Sequence, residues 1–171
     1  MPKSHVDARP IARDMLASKP TAYEDLAAQL AALMAGEPDL IANAANLAAL
    51  VYHGLPELNW AGFYFARAGE LVLGPFQGKP ACVRIPWGQG VCGTAAARGG
   101  AIVVPDVDAF PGHIACDAAS RSELVVPLVA AGRVVGVFDL DSPRLARFDE
   151  GDRTGVERLA AILLEHHRDW P

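Results

Sequence analysis

The first third of the chain has apolar residues at helical spacing. Thr21 followed by Glu24 has the pattern of a capping box, so Thr21 is predicted as the N-cap of a first helix that Gly36 ends. Asp39 is predicted to begin a second helix, and Gly54 to end it. Two amphipathic helices therefore precede the rest of the domain.

Near residue 59 the period changes from 3.6 to 2, which is typical of β-strands. The predicted strands are Asn59–Ala66, Glu70–Pro75, Ala81–Ile85, Ala101–Pro105, Leu124–Ala130 and Arg133–Asp141. A glycine-rich segment at 88–98 predicts a loop that enters a short helix, and Asp149 is predicted to cap a final helix. This order favours one α+β domain with a mostly antiparallel sheet between N- and C-terminal helices.

Composition narrows the choice of function. The 171 residues fit one domain, and the net charge of −5 without a Lys/Arg cluster argues against a nucleic-acid partner. No apolar run has the length of a membrane span. Residues 1–20 contain three prolines and scattered charges, which predicts a loose arm before a domain at 21–171. Three cysteines and no secretory signal favour the cytoplasm and thiols that cycle.

Strand alternation predicts a pocket. Alternate residues of a strand share a face, so Trp60 and Tyr64 should lie together, opposite the Phe side chains of the same strand. In the last strand, Val134, Gly136, Phe138 and Leu140 are assigned to one face, and Val135, Val137, Asp139 and Asp141 to the other. If both polar-tipped faces line one cavity, it has an aromatic wall and an acidic floor.

Cys116 lies in a small, polar loop that also contains His113 and Arg121. Nearby positive charge and backbone N–H groups can lower a thiol pKa, although an inert buried cysteine is an equally good interpretation. Cys82, in a loop-rich stretch, is the better partner for Cys116. Cys92 fits a small helix-packing residue. A metal site from these three cysteines and His113 is a weaker alternative, because only His113 and Cys116 are paired at short spacing.

Three carboxylates complete the candidate site. Glu123, Asp139 and Asp141 near one pocket would raise each other's pKa, so that one could hold a proton near neutral pH and donate it. The alternative is that they end their strands at the surface. His166 and His167, at the end of the last helix, are interpreted as surface residues.

Several multi-residue motifs resemble those of the GAF-domain free methionine-R-sulfoxide reductases, in the family's order and from about Thr21 to the C-terminus. They are Asn59-Trp60-Ala61-Gly62-Phe63-Tyr64, Gly74-Pro75-Phe76-Gln77-Gly78-Lys79-Pro80-Ala81-Cys82, Gly90-Val91-Cys92-Gly93, Pro105-Asp106-Val107, Phe110-Pro111-Gly112-His113-Ile114-Ala115-Cys116-Asp117, Ser120-Arg121-Ser122-Glu123, Asp139-Leu140-Asp141-Ser142-Pro143 and Arg147-Phe148-Asp149. The resemblance implies a GAF fold, usually a homodimer, that reduces the free amino acid.

The resemblance also implies roles for the cysteines. Cys116 matches the nucleophile, Cys82 the resolving cysteine that forms a disulfide with it, and Cys92 an accessory cysteine. The expected reductant is thioredoxin, which receives electrons from NADPH through thioredoxin reductase. No bound metal or organic cofactor is expected.

Substrate-contacting residues follow from the same match. Trp60 and Tyr64 match pocket aromatics, and Glu123, Asp139 and Asp141 match carboxylates that contact free methionine sulfoxide, with Glu123 and Asp141 as candidate acids. A non-catalytic GAF sensor that binds a small molecule and signals through dimerisation is the competing hypothesis, because a fold alone does not fix function.

Overall fold

A computed structural model describes residues 18–168 and residue 170. The helices are α1 (Lys19–Met34), α2 (Leu40–Gly54), α3 (Gly90–Arg98) and α4 (Glu150–His166), and the strands are β1 (Trp60–Arg67), β2 (Glu70–Gly78), β3 (Arg84–Pro86), β4 (Ile102–Val104), β5 (Ser122–Ala130) and β6 (Arg133–Ser142). The predicted α+β class is confirmed. Residues 1–17 of the predicted arm lie outside the described residues, so the arm and the boundary at residue 21 stay predictions.

The six strands form one sheet in the order β3-β2-β1-β6-β5-β4, and every described pair of neighbours is antiparallel. Two hairpins in it have two-residue turns, Ala68-Gly69 and Ala131-Gly132, with positive φ at all four positions. Such turns match the twist of the flanking strands. Both turns are where the sequence predicted them. Within residues 18–168, no helix combines the length and hydropathy that crossing a membrane requires.

The sheet separates two apolar clusters. Helices α1, α2 and α4 cover one face, where Phe63 and Phe138 stack with ring centroids 4.3 Å apart. The opposite face packs against α3 and contains Trp60 and Tyr64. The predicted division of β1 into a Phe face and a Trp/Tyr face is therefore confirmed.

One part of the β6 face assignment is wrong. Leu128 pairs with Gly136, but the next residue of β5, Val129, pairs with Val134, so Val135 is an extra residue. This β-bulge exchanges the two faces near the turn: Val135 packs on the helix side and Val134 on the pocket side. Beyond Gly136 the predicted alternation is confirmed.

The start of α1 also differs from prediction. The helix begins at Lys19 with Ser18 in the N-cap position, and the Thr21 hydroxyl lies 3.0 Å from that of Ser18. Proline is well accommodated in a first turn, where its missing N–H is not needed, so Pro20 extends the helix instead of preceding it. The predicted N-caps Asp39 and Asp149 are confirmed.

Two strand boundaries move. The β2 strand continues past Pro75 to Gly78. Proline has no backbone N–H to donate, but an irregularity in the pairing with β1 leaves Pro75 without a partner residue, so no hydrogen bond is lost there. The β3 strand is shorter than predicted, since it pairs with only three residues of β2. Cys82 consequently lies in the loop before β3 instead of at the start of a strand.

A buried carboxylate joins the first and last helices. Asp152 is fully buried, and its carboxylate accepts hydrogen bonds from Lys19 Nζ at 2.7 Å, Tyr23 Oη at 3.0 Å and Arg147 Nη1 at 3.1 Å. It also accepts from the backbone N–H of Asp149, which completes the capping box of α4. One side chain thus fixes α4 against α1 and against the segment after β6.

We expect Asp152→Ala to lower the free energy of unfolding by about 3–5 kcal/mol, because the buried guanidinium of Arg147 loses its nearest carboxylate and the buried Tyr23 hydroxyl loses its acceptor. Urea unfolding at pH 7 measures the change. Glu150→Ala removes an exposed ion pair with Arg153 in the same helix turn and should cost much less. Equal losses in the two variants would contradict the assigned role of Asp152.

Candidate active site

A pocket lies on the sheet face opposite α1, α2 and α4. Its lining includes seven of the eight predicted site residues, namely Trp60, Tyr64, Cys92, Cys116, Glu123, Asp139 and Asp141. The eighth, Cys82, is joined to Cys116 by a disulfide. The structure therefore brings all eight together, from three strands, one helix and two loops.

The Cys82–Cys116 disulfide joins the loop before β3 to the loop before β5. The two Cα atoms lie 5.5 Å apart, although 34 residues separate them in the chain. This pairing is the one that the family resemblance implies. It also uses two of the four ligands of the alternative metal site, so that site is not assembled in this oxidised form. The third cysteine, Cys92, is buried in α3 as a free thiol.

Stacked aromatic rings form one wall. The ring of Trp60 stacks with Tyr64 at 5.8 Å and with Phe76 at 5.4 Å between centroids. Gly62 lies between Trp60 and Tyr64 on the same face of β1, and a Cβ atom at Gly62 would be 2.7 Å from Cη2 of Trp60. The glycine therefore leaves the space in which the indole lies against its neighbours.

The register of β5 and β6 assembles the acidic floor. Glu123 pairs directly with Asp141, and Asp139 lies two residues further along on the same face. Glu123 and Asp139 are each only 6% exposed, and Oδ1 of Asp139 has no hydrogen-bond partner. The Cys92 thiol lies 3.9 Å from Oε1 of Glu123. The alternative in which the carboxylates end their strands at the surface is therefore wrong for Glu123 and Asp139. Asp141 is half-buried and lines the same pocket.

Burial raises the pKa of all three carboxyl groups. Desolvation is the main cause, and it raises the pKa of Asp139 to about 7. The pKa values of Glu123 and Asp141 are raised well above their usual range, again by desolvation first and then by the charge of Asp139. Desolvation and the same acidic neighbours also raise the pKa of Cys92. Near neutral pH the floor consequently holds protons that it can donate.

Of the two basic residues that the sequence placed near Cys116, His113 lines the pocket and Arg121 does not. Nε2 of His113 lies 3.8 Å from Oε2 of Glu123, and desolvation lowers the pKa of this imidazole. Arg121 is exposed, and its backbone N–H bonds to the carbonyl of Ser142 at 2.7 Å. His166 and His167 are not among the residues that line the pocket. They bond to Glu37 and Asn43, which fixes the end of α4 to the first turn of α2 and to the loop before it.

Cys92, Glu123 and Asp139 are the described residues that could share a metal ion, since one ligand atom from each lies within 4.8 Å of the others. Sequence spacing does not indicate this set, because its members are 16 or more positions apart. A bound metal ion would be one way for this cluster to avoid unpaired buried charge. The protons that these groups retain are a second way.

Sequence reasoning assigned no role to Asn59, Asp117 and Ser120. The Asn59 amide donates to the Asp117 carboxylate at 3.2 Å and to the Ser120 hydroxyl at 3.0 Å. Both acceptors lie in the segment that directly follows Cys116 in the chain. The available signal was position, since Asn59 precedes Trp60 and the other two residues flank the predicted cysteine loop.

Comparison with known proteins agrees with this geometry. The GAF-domain family model matches residues 37–163. Protein YtsP of Bacillus subtilis is 59% identical over 82% of this chain and 88% of its own length. The free methionine-R-sulfoxide reductase of Escherichia coli is 54% identical over 82% of this chain and 86% of its own length. A structure of free methionine-R-sulfoxide reductase from Neisseria meningitidis with its substrate is 49% identical, with a TM-score of 0.85, and the alignment covers 88% of this chain and 90% of that chain.

A single GAF domain with a thiol and carboxyl pocket is therefore the class that fold and site define. Within that class, the chain belongs to the free methionine-R-sulfoxide reductase family of GAF-domain proteins.

The buried carboxyls predict how stability depends on pH. The pKa of Asp139 is near its usual value of 3.8 in the unfolded protein and near 7 in the folded protein. As pH rises, the unfolded state therefore loses this proton first, and the free energy of unfolding falls between about pH 4 and 7. Asp139→Asn removes this group, and its stability relative to wild type should rise by roughly 3 kcal/mol across that range. Urea unfolding of the oxidised proteins at several pH values measures it.

Asp149→Asn is the matched control. A hydrogen bond from Lys19 lowers the pKa of Asp149 to about 2, so its contribution to stability is lost only below about pH 4. The free energy of unfolding of Asp149→Asn, plotted against pH, should therefore run parallel to that of the wild type from pH 4 to 7. A parallel curve for Asp139→Asn as well would show that Asp139 is not protonated in the folded protein.

Proposed function

We propose that this protein reduces free methionine-R-sulfoxide to methionine with its own thiols as the reductant. The observation that carries the proposal is that Cys116, in a disulfide with Cys82, lines the same pocket as three carboxyl groups whose pKa desolvation raises. A sulfoxide needs both a nucleophile for its sulfur and a proton for its oxygen.

The first step is attack by the Cys116 thiolate on the sulfoxide sulfur. This attack joins Sγ of Cys116 to the substrate sulfur, while Glu123 or Asp141 donates a proton to the sulfoxide oxygen. The resulting hydroxyl group moves to Sγ, which breaks the S–O bond and the bond between the two sulfurs and leaves a sulfenic acid on Cys116. The substrate sulfur thereby gains two electrons and the cysteine sulfur loses two. Methionine leaves, and the carboxyl group regains a proton from solvent.

Free substrate is recognised by both of its backbone charges. Asp139, with Glu123 and Asp141, holds the ammonium group, and backbone N–H groups of the cysteine loop hold the carboxylate. A peptide-linked methionine sulfoxide carries neither charge and would leave buried polar groups unpaired, which can produce strong rejection. Trp60 packs against the S-methyl group and helps to select the R epimer, with Tyr64 behind it.

The Cys82 thiol then condenses with the sulfenic acid, which forms the disulfide and releases water. A thioredoxin-type dithiol reduces this disulfide by exchange, and NADPH supplies the electrons through thioredoxin reductase. Cys92, 3.9 Å from Glu123, serves as an accessory thiol in this recycling. The protein acts in the cytoplasm as a homodimer.

The direct test is NADPH consumption with thioredoxin and its reductase, using free methionine-R-sulfoxide, the free S epimer and a peptide-bound sulfoxide in parallel. We expect consumption with the free R epimer alone. Consumption with the peptide-bound substrate would contradict recognition of both charges. A folded, reduced protein that consumes nothing with any of the three would favour the non-catalytic sensor.

Cysteine variants separate the two chemical steps. Cys116→Ser should form no methionine, because serine does not attack the sulfoxide. Cys82→Ser should form about one methionine per chain from the reduced enzyme and then stop with thioredoxin, because the sulfenic acid has no resolving thiol. Amino-acid analysis of a single turnover measures both. Methionine formation by Cys116→Ser at the wild-type rate would overturn the assignment of the nucleophile.

A further inference from the structure

Asn59, immediately before β1, holds the loop that contains Cys116. Its backbone N–H donates to the carbonyl of Asp141 at 3.0 Å, which fixes it to the sheet beside the pocket. Its side-chain Nδ2 donates to Oδ2 of Asp117 at 3.2 Å and to Oγ of Ser120 at 3.0 Å. One amide therefore uses both of its N–H groups on the same short segment.

That segment is a tight turn directly after Cys116. The backbone N–H of Ser120 donates to the carbonyl of Asp117 at 3.1 Å, and the N–H of Ala119 donates to its carboxylate at 2.9 Å. Asn59 contacts the residue that begins the turn and the residue that ends it. Removing the amide would leave the turn closed by its own bonds but no longer fixed to the sheet.

The neighbouring residue, Trp60, holds the other cysteine segment. Its indole Nε1 donates to the carbonyl of Lys79 at 3.2 Å, three residues before Cys82. Lys79 also approaches Asp117, with 3.6 Å between Nζ and Oδ1, although its side chain is 72% exposed. Two consecutive residues at the start of β1 thus fix both cysteine-bearing loops to the same point of the sheet.

We infer that Asn59 is a positioning residue for the thiol–disulfide cycle, holding Cys116 where Cys82 can reach it. Disulfide formation requires Cα atoms within about 4.4–6.8 Å, a condition that two independent loops meet only when both are fixed. Fixing them raises the effective concentration of one thiol at the other. The inference rests on the proposed function only in taking Cys82 and Cys116 as the redox pair.

The orientation of the amide supports this role. Oδ1 of Asn59 is buried without a hydrogen-bond partner, whereas Nδ2 faces the Asp117 carboxylate. The reverse orientation would place the amide oxygen against that carboxylate. A buried acceptor without a partner lowers stability. The orientation that leaves Oδ1 in this state is the one in which Nδ2 holds the cysteine loop.

The test is the equilibrium of the reduced protein with oxidised glutathione, which yields the Cys82–Cys116 disulfide and two reduced glutathiones in a two-electron exchange. Alkylation after quenching in denaturant and intact mass read the ratio, because the oxidised chain takes one label and the reduced chain three. No substrate is present, so failure here and failure of the proposed reductase activity are distinguishable.

We expect Asn59→Ala to lower this equilibrium constant about tenfold, as the loss of a hydrogen bond to a charged group implies. Asn59→Asp should lower it further, because two carboxylates then face each other. The double variant Asn59→Asp with Asp117→Asn exchanges amide and carboxylate and should recover the wild-type value to within about threefold. Lys79→Met, which removes only an exposed ion pair, should change it less than about threefold.

A purely structural role gives a different result. Equal destabilisation of the oxidised and reduced folded forms would lower both unfolding free energies and leave the disulfide equilibrium unchanged. An unchanged constant in Asn59→Ala would therefore overturn the inference. If that variant does not fold, Asn59→Asp alone and with Asp117→Asn decide it: failure of the exchange to restore the equilibrium would overturn the assigned hydrogen bond.

Discussion

The site depends on one constraint: two buried carboxyl groups and a half-buried third lie on one sheet face without a cation. Among the residues that line the pocket in the described chain, none is Lys or Arg. Desolvation makes ionised carboxylates costly there, so the cluster binds protons instead of counter-ions. An arginine in the pocket would stabilise the ionised carboxylates and remove the proton donors that the proposed reaction needs.

This constraint determines what the rest of the fold must supply. Stability lost at the acidic floor has to come from the opposite face, where α1, α2 and α4 bury Phe63, Phe138 and their neighbours. Asp152, a buried carboxylate on that side, is treated in the opposite way, with Lys19 and Arg147 beside it. Aspartates are therefore without a cation on one face of the sheet and paired with cations on the other.

Much of this arrangement could be predicted from the sequence, since strand alternation depends only on local order. Trp60, Tyr64, Asp139 and Asp141 were placed on the pocket face by period 2 alone, and the register confirms it. The alternation of Val134 and Val135 was predicted wrongly because a bulge depends on the pairing of two strands, which neither strand reveals by itself. The start of α1 was misplaced because Thr21 and Glu24 have a capping-box pattern, while Ser18 and Pro20 begin the helix earlier.

Contacts between loops were the least predictable part. The disulfide closes 34 residues, and no spacing rule relates Cys82 to Cys116, so the sequence offered only a preference for Cys82 from its loop-rich stretch, and the family resemblance implied the pair itself. Asn59 was equally hidden, since one asparagine before a strand has many possible partners. Both features become understandable from the sheet, in which β1 is a central strand and its first residues face β2 on one side and β6 on the other. Asn59 bonds there to the loop that precedes β5, and Trp60 bonds to the loop that follows β2. The position of β1 within the sheet therefore explains why one strand end can control the distance between two cysteines that are remote in sequence.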